Sequence, residues 1–333
     1  MIDLASCAHL LVHPGKGLLA ADESIASADK RLASFGIEPS EEMRRQYRDL
    51  FLATPGIEDY LSGVILYEET LEQEANDGTS FPALLAERGI IPGIKVDQGL
   101  EPFADGSEEQ ITKGLLGLPE RLAKFHDLYG TGFTKWRATV RIDGDRLPTK
   151  PALVENMKRL ASYAYEVQKT GMVPIVEPEV LLEGTHNRLR SRAVLEETLR
   201  TLVRALEEQA VDPSGVILKT AMAIAGKDSG RRDTPEEVAE DTIGALMATM
   251  PKDMPGIVFL SGGQTPDQAT DNLRAIARAA KEKGAPWPLT FSYARALQEE
   301  ALAVWAGTDD NLEAARALYI ERLKKVYLAA RGE

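Results

Sequence analysis

The stretch "GVILKTAM", residues 215–222, places one lysine, Lys219, inside an otherwise apolar and partly β-branched run. Such a run reads as a buried β-strand, and a strand that turns Val216, Ile217, Leu218 and Met222 into a core has no structural need for an ammonium. Similar runs flank it on both sides. Before it stand "GLLAA" (17–21), "GVILY" (63–67), "GIKV" (93–96), "FTKWRATV" (133–140) and "MVPIVEPEV" (172–180); after it come "GIVFLSG" (256–262) and "PLTFSY" (288–293). Eight strands with helix-like segments between them predict an α/β fold, a (β/α)8 TIM barrel.

The intervals carry explicit helix signals. "TPEEVAEDTIGALMATM" opens with Thr234 as N-cap, Pro235 in the first turn and Glu237 placed to complete a capping box. "TPDQATDNLRAIARAA" repeats that pattern with Thr265, Pro266 and Gln268. In "ALVENMKRLASYAYEVQKTG" the residues Leu153, Met157, Leu160, Ala164 and Val167 fall on one helical face before Gly171 ends the run. No linker, repeat or low-complexity tract divides the chain, so residues 1–333 are expected to form a single barrel domain. The final segment, "DNLEAARALYIERLKKVYLAARGE", reads as a C-terminal amphipathic helix that closes the barrel.

Composition limits the function classes. A net charge of −13 argues against a nucleic-acid or anionic-membrane partner and leaves a small phosphorylated substrate open, because local arginines and lysines suffice to hold a phosphate. Cys7 is the only cysteine, and His9, His13, His126 and His186 are scattered, so the expectation is no metal and no cofactor. The N-terminal "MIDLASCAHLLVHPGKG" lacks signal-peptide grammar and no stretch is long and apolar enough to span a bilayer, which predicts a soluble cytoplasmic protein.

The chemistry of a barrel sits at the C-terminal ends of its strands, and polar residues concentrate there. Strand one runs into Asp22, Glu23 and Ser24; strand three carries Lys95 and leads to Asp97; strand four carries Lys135 and Arg137; strand five carries Glu177 and Glu179. Side chains two apart share a face, so Lys135 pairs with Arg137 and Glu177 with Glu179 on one side of the sheet. Taken singly, each could be half of a salt bridge in a polar barrel mouth. Burying the whole set is expensive unless it is used.

An amine buried among apolar side chains, with Lys135 as a second cation near it, is biased toward the neutral form. A neutral amine attacks a carbonyl and forms a Schiff base, which draws electrons from an adjacent bond. Lys219 is the candidate nucleophile, with Lys95 and Lys135 as rivals. Glu177 and Glu179 on the preceding strand could move protons to and from the carbinolamine oxygen, and Asp22 could take a hydroxyl proton as a C–C bond breaks. The loops "SGGQTP" and "SYARAL" after strands seven and eight stand where such barrels bind phosphate, with Gly262 and Gly263 admitting backbone N–H groups and Arg295 supplying a fork of donors. Lys95 and Arg137 make a second basic cluster for the other end of a substrate.

"GKGLLAADES", "GVILYEETL", "GIKVDQGL", "KWR", "VPIVEPEV", "ILK", "FLSGGQ", "LTFSYARALQ" and "NLEAARALY", in this order, closely resemble class I fructose-1,6-bisphosphate aldolase of the animal and plant type. The resemblance implies a metal-free enzyme, usually a homotetramer, that cleaves fructose 1,6-bisphosphate to dihydroxyacetone phosphate and glyceraldehyde 3-phosphate. By motif it makes Lys219 the Schiff-base lysine, Glu177 the general acid/base with Glu179 in support, and Asp22 the acceptor of the C4 hydroxyl proton. Lys135 would supply positive charge. Ser261, Gly262 and Arg295 would bind the C1 phosphate, and Ser24, Ser27, Lys95 and Arg137 would lie toward the C6 phosphate.

The sequence departs from the family pattern in places. "TAM" follows the lysine where Pro-Asn-Met is common, Ile25-Ala26 replaces a Thr-Gly pair, and Ala294 stands where glycine is usual. The family often carries a further segment ending in a tyrosine that assists proton exchange on the ketose half; with the sequence ending at Glu333, water or another group is expected to serve, or that exchange is expected to be slow. These departures bear on substrate range, including sedoheptulose 1,7-bisphosphate and fructose 1-phosphate, more than on reaction type. The alternatives are a transaldolase-like or keto-acid aldolase using the same lysine, and a non-catalytic scaffold of the same shape.

Overall fold

A computed structural model describes residues 3–333. Eight parallel strands close into a barrel in chain order: β1 (Gly17–Ala21), β2 (Leu61–Leu66), β3 (Ile91–Lys95), β4 (Phe133–Val140), β5 (Val173–Val180), β6 (Ile217–Thr220), β7 (Gly256–Phe259) and β8 (Leu289–Tyr293), with β8 pairing back onto β1. All eight expected strands are present. β6 and β7 stop earlier than the apolar runs suggest, because residues 221–226 and 260–263 leave the ladder as loops.

The two-residue alternation of each strand sorts its side chains. Leu19, Val64, Val176, Leu218 and Ile257 face outward into the layer shared with the helices. Leu18, Ala20, Ile65, Phe133, Ile175, Ile217 and Val258 face the lumen and fill its lower part. The packing there is tight enough to require glycine at one strand position: a Cβ on Gly93 would lie 2.3 Å from Cζ of Phe133.

The lower mouth of the lumen is plugged by a segment that carries no such signal in the sequence. Helix α1 (Leu4–Leu11), started by Asp3 accepting from the Ser6 N–H at 3.0 Å, inserts Ala8 and Leu11, followed by Val12, against the lumen cluster. The final helix (Leu312–Ala330) instead packs outside the barrel, where Tyr319 meets Phe51 edge-on at 4.9 Å. Its apolar stripe is real, but stripe periodicity does not say what covers it.

The helix grammar holds. Thr234 caps Pro235–Thr249 with a complete capping box, Thr234 Oγ1 accepting from the Glu237 N–H and Glu237 Oε2 accepting from the Thr234 N–H at 2.9 Å. Thr265 caps Pro266–Lys283 through the Gln268 N–H at 3.2 Å. Unforeseen is a short antiparallel hairpin, Leu100–Pro102 with Gln110–Thr112, inserted after β3. Thr112 Oγ1 ties it to the Arg137 carbonyl at 2.8 Å, so it forms part of the rim. Among the described residues no helix is long and apolar enough to cross a membrane.

Candidate active site

Above the apolar floor, the next inward positions on the strands are charged. Ile217 is followed on the same face by Lys219, Ile175 by Glu177, Phe133 by Lys135, and Ala20 by Asp22 just past β1. The four charges alternate in sign. Lys219 Nζ lies 3.1 Å from Glu177 Oε1, Glu177 Oε2 lies 3.4 Å from Lys135 Nζ, and Lys135 Nζ lies 2.5 Å from Asp22 Oδ2. Lys219, Glu177 and Lys135 are each under 5 % exposed. Lys135 therefore does not face Lys219 alone, as a reading of two neighbouring cations supposes; a carboxylate bridges them.

The electrostatics follow from this order. Burial pushes the Asp22 carboxyl up, but the ammoniums of Lys135 and Lys219 outweigh it and hold the group down at about 2. Glu177 is likewise held below the ordinary carboxylate range, burial being outweighed by Lys219 and Lys135. Burial pushes Lys135 down, and Asp22 and Glu177 more than reverse this, so its ammonium is firmly retained.

A cavity of about 440 Å³ opens above these groups. Besides them it is bordered on one side by Ser24, Ser27, Lys95, Arg137 and Glu179, and on the other by Ser261, Gly262 and Arg295. The arrangement thus has Lys95 and Arg137 on one side, the single cation Arg295 on the other, and a lysine with its carboxylate between. Each wall carries its own constraints. Lys95 pairs with Asp97 Oδ1 at 2.9 Å, and the other oxygen of Asp97 accepts from the Arg137 N–H at 3.3 Å. Glu179 is engaged by the Arg137 guanidinium, so its contact is with the wall rather than with Lys219.

Gly263 is the one expected site residue that does not border this cavity. It turns the chain at φ 76°, a left-handed conformation open to glycine, and lines a neighbouring cavity with Leu182. Three further polar residues border it, to which the sequence assigns no role: Glu23, Asp97 and Ser292. Ser292 is fully buried with no hydrogen-bond partner for its hydroxyl among the described residues. Its signal was present, since Thr290 and Ser292 put hydroxyls on the same face of "PLTFSY".

Known proteins resemble this chain in sequence and shape along nearly its whole length. The family model described as fructose-bisphosphate aldolase class-I matches residues 3–333. The chain is 46 % identical over 331 residues to a probable fructose-bisphosphate aldolase class 1 of Xanthomonas axonopodis pv. citri, covering 99 % of this chain and 98 % of that one. It is 44 % identical to fructose-bisphosphate aldolase C-B of Danio rerio, covering 99 % and 90 %. The solved structure of Plasmodium falciparum fructose-bisphosphate aldolase, in complex with TRAP and a small-molecule inhibitor, superposes with a TM-score of 0.95 at 40 % identity, covering 99 % of this chain and 94 % of that one. The chain belongs to the class-I fructose-bisphosphate aldolases, a family of lyases.

Proposed function

We propose that the chain cleaves fructose 1,6-bisphosphate reversibly through a Schiff base on Lys219, without a metal. The observation that carries this reading is the buried 3.1 Å contact between Lys219 Nζ and Glu177 Oε1 at the floor of a cavity with basic groups at both ends. Lys219 gives a proton to Glu177 and attacks the C2 carbonyl. The carbinolamine oxygen takes one proton from the attacking nitrogen and one back from Glu177, water leaves, and a protonated imine remains. Asp22 then takes the C4 hydroxyl proton, the C3–C4 bonding pair moves into the iminium, and glyceraldehyde 3-phosphate departs from an enamine. Protonation at C3 and hydrolysis release dihydroxyacetone phosphate and regenerate the amine.

Lys135, held between Asp22 and Glu177, keeps both carboxylates ionised until each is needed. Ser261, Gly262 and Arg295 receive the C1 phosphate; Ser24, Ser27, Lys95 and Arg137 lie toward the C6 phosphate. Glu179 acts by orienting Arg137. Two basic walls favour a bisphosphate over substrates with one phosphate or none, and sedoheptulose 1,7-bisphosphate fits the same logic. The proposal extends to a homo-oligomer, tetrameric by family likeness, of single-domain chains working in the cytoplasm.

The test is borohydride reduction with dihydroxyacetone phosphate in the presence of EDTA, followed by peptide mapping. A reduced adduct on the peptide carrying Lys219, lost in Lys219→Met, is the expected outcome. An adduct elsewhere, or cleavage activity retained in Lys219→Met, would remove Lys219 from the mechanism.

A further inference from the structure

Glu23 follows Asp22 and borders the same cavity, yet its carboxylate is held from behind. Arg48 Nη1 donates to Oε2 at 2.8 Å and Arg31 Nη1 to Oε1 at 3.0 Å, while the Tyr47 hydroxyl lies 3.1 Å from Oε1. Arg48 makes one contact more: its Nη2 donates to the Glu23 backbone carbonyl at 3.1 Å. Arg48 is only 3 % exposed, and its guanidinium carbon sits 4.9 Å from the centre of the Tyr47 ring. Tyr47 in turn reaches Gln298 Oε1 at 3.3 Å, on the helix after β8.

One planar fork thus grips both the side chain and the main chain of residue 23, which fixes that residue in position and in rotation. The Cα of Asp22 is one peptide away, about 3.8 Å along a planar unit. Asp22 itself has left β1, so the barrel ladder no longer holds it. Arg48 does not border the cavity and belongs to a helix outside the barrel, Glu41–Leu52. Its contact with the Glu23 carboxylate, together with that of Arg31, also offsets a charge that would otherwise repel Asp22 from the adjacent position.

We propose that Arg48 is a positioning residue for Asp22, seated against Glu23 by Tyr47, and that it sets the cleavage step without touching substrate. This rests on the reading of Asp22 as the acceptor of the hydroxyl proton. The competing description is that Arg48 only anchors its helix to the barrel.

A double-mutant cycle in the full-length enzyme separates them. Cleavage kcat for fructose 1,6-bisphosphate is measured for wild type, Arg48→Lys, Asp22→Asn and the double variant, alongside borohydride trapping of dihydroxyacetone phosphate on Lys219. Arg48→Lys keeps the charge and loses the fork, and a displaced base of this kind is expected to lower kcat about tenfold to a hundredfold. Trapping should stay within about twofold, and in the Asp22→Asn background Arg48→Lys should change kcat by less than about twofold. The same loss in both backgrounds, or trapping lost in step with kcat, overturns the inference and leaves Asp22 in its role. Full kcat in Asp22→Asn alone overturns both. Tyr47→Phe, which removes one hydroxyl, carries the same cycle should Arg48→Lys fail to fold.

Discussion

Asp22→Asn keeps the shape of the side chain and removes one titration, so its effect on stability is calculable. Asp22 is held at about 2 in the folded protein against an ordinary value of 3.8, burial being outweighed by Lys135 and then Lys219. A carboxyl lowered on folding contributes stability that is present above its unfolded value and lost as pH falls through its folded value. The gap from 3.8 to about 2 corresponds to about 2 kcal/mol at pH 7, about 1 kcal/mol at pH 3 and well under about 1 kcal/mol at pH 2.

The variant should therefore be less stable than wild type by about 2 kcal/mol at pH 7, and the difference should narrow by about 1 kcal/mol on acidification to pH 3. Urea unfolding followed by far-UV circular dichroism, at fixed protein concentration from pH 7 to pH 3, gives the two curves. Fixed concentration matters because any association of subunits adds its own stabilisation. A difference that stays flat over this range, or widens toward acid, would refute the reasoning. It would mean that the 2.5 Å contact with Lys135 does not control the ionisation of Asp22.

Glu177→Gln should slow imine formation by about a hundredfold or more while leaving the fold intact, read as the rate of borohydride-trappable adduct; an unchanged rate would assign the proton transfers to another group. Arg295→Ala should raise KM for fructose 1,6-bisphosphate by about tenfold and leave KM for an unphosphorylated ketose unaltered, since a charge-assisted contact to phosphate is lost. Leu11→Ala should cost about 2–5 kcal/mol in urea unfolding without lowering kcat per folded molecule, because Leu11 is fully buried in the plug below the site. A kcat loss there would show that the plug reaches the chemistry.

The sequence was readable wherever one strand or one helix carried the message alone. "KWR" and "VEPEV" each put two charges on one face, and those faces do point into the lumen. What alternation does not give is height. Lys135 stands opposite Lys95 and Ile175 in the ladder, whereas Arg137 stands opposite Glu177. Strand register and tilt decide that Glu177 separates the two lysines and that Glu179 goes to Arg137. Long-range contacts were opaque for the same reason: nothing local in "LASCAHLL" says that it plugs a barrel, and nothing local in "RRQYRDLFL" says that Arg48 grips Glu23. The hairpin after β3 escaped because three-residue strands are too short to show a period.

The alternation of charge across the floor shapes how the proposed reaction proceeds among buried ions. Asp22, Lys135, Glu177 and Lys219 sum to zero, and each ion has a neighbour of opposite sign. Moving a proton from Lys219 to Glu177 neutralises both at once and leaves the Asp22–Lys135 pair in place. The total stays at zero, so freeing the amine does not require an uncompensated charge to be buried, which is the costly event in a low-dielectric interior. When the iminium forms, a positive charge returns to the Lys219 nitrogen, and Glu177, having given up its proton with the departing water, is again its counter-ion. A rearrangement that kept the same residues but set Lys135 beside Lys219, with no carboxylate between, would lose this balance. The order of the four side chains is therefore as much a part of the proposed chemistry as their identity.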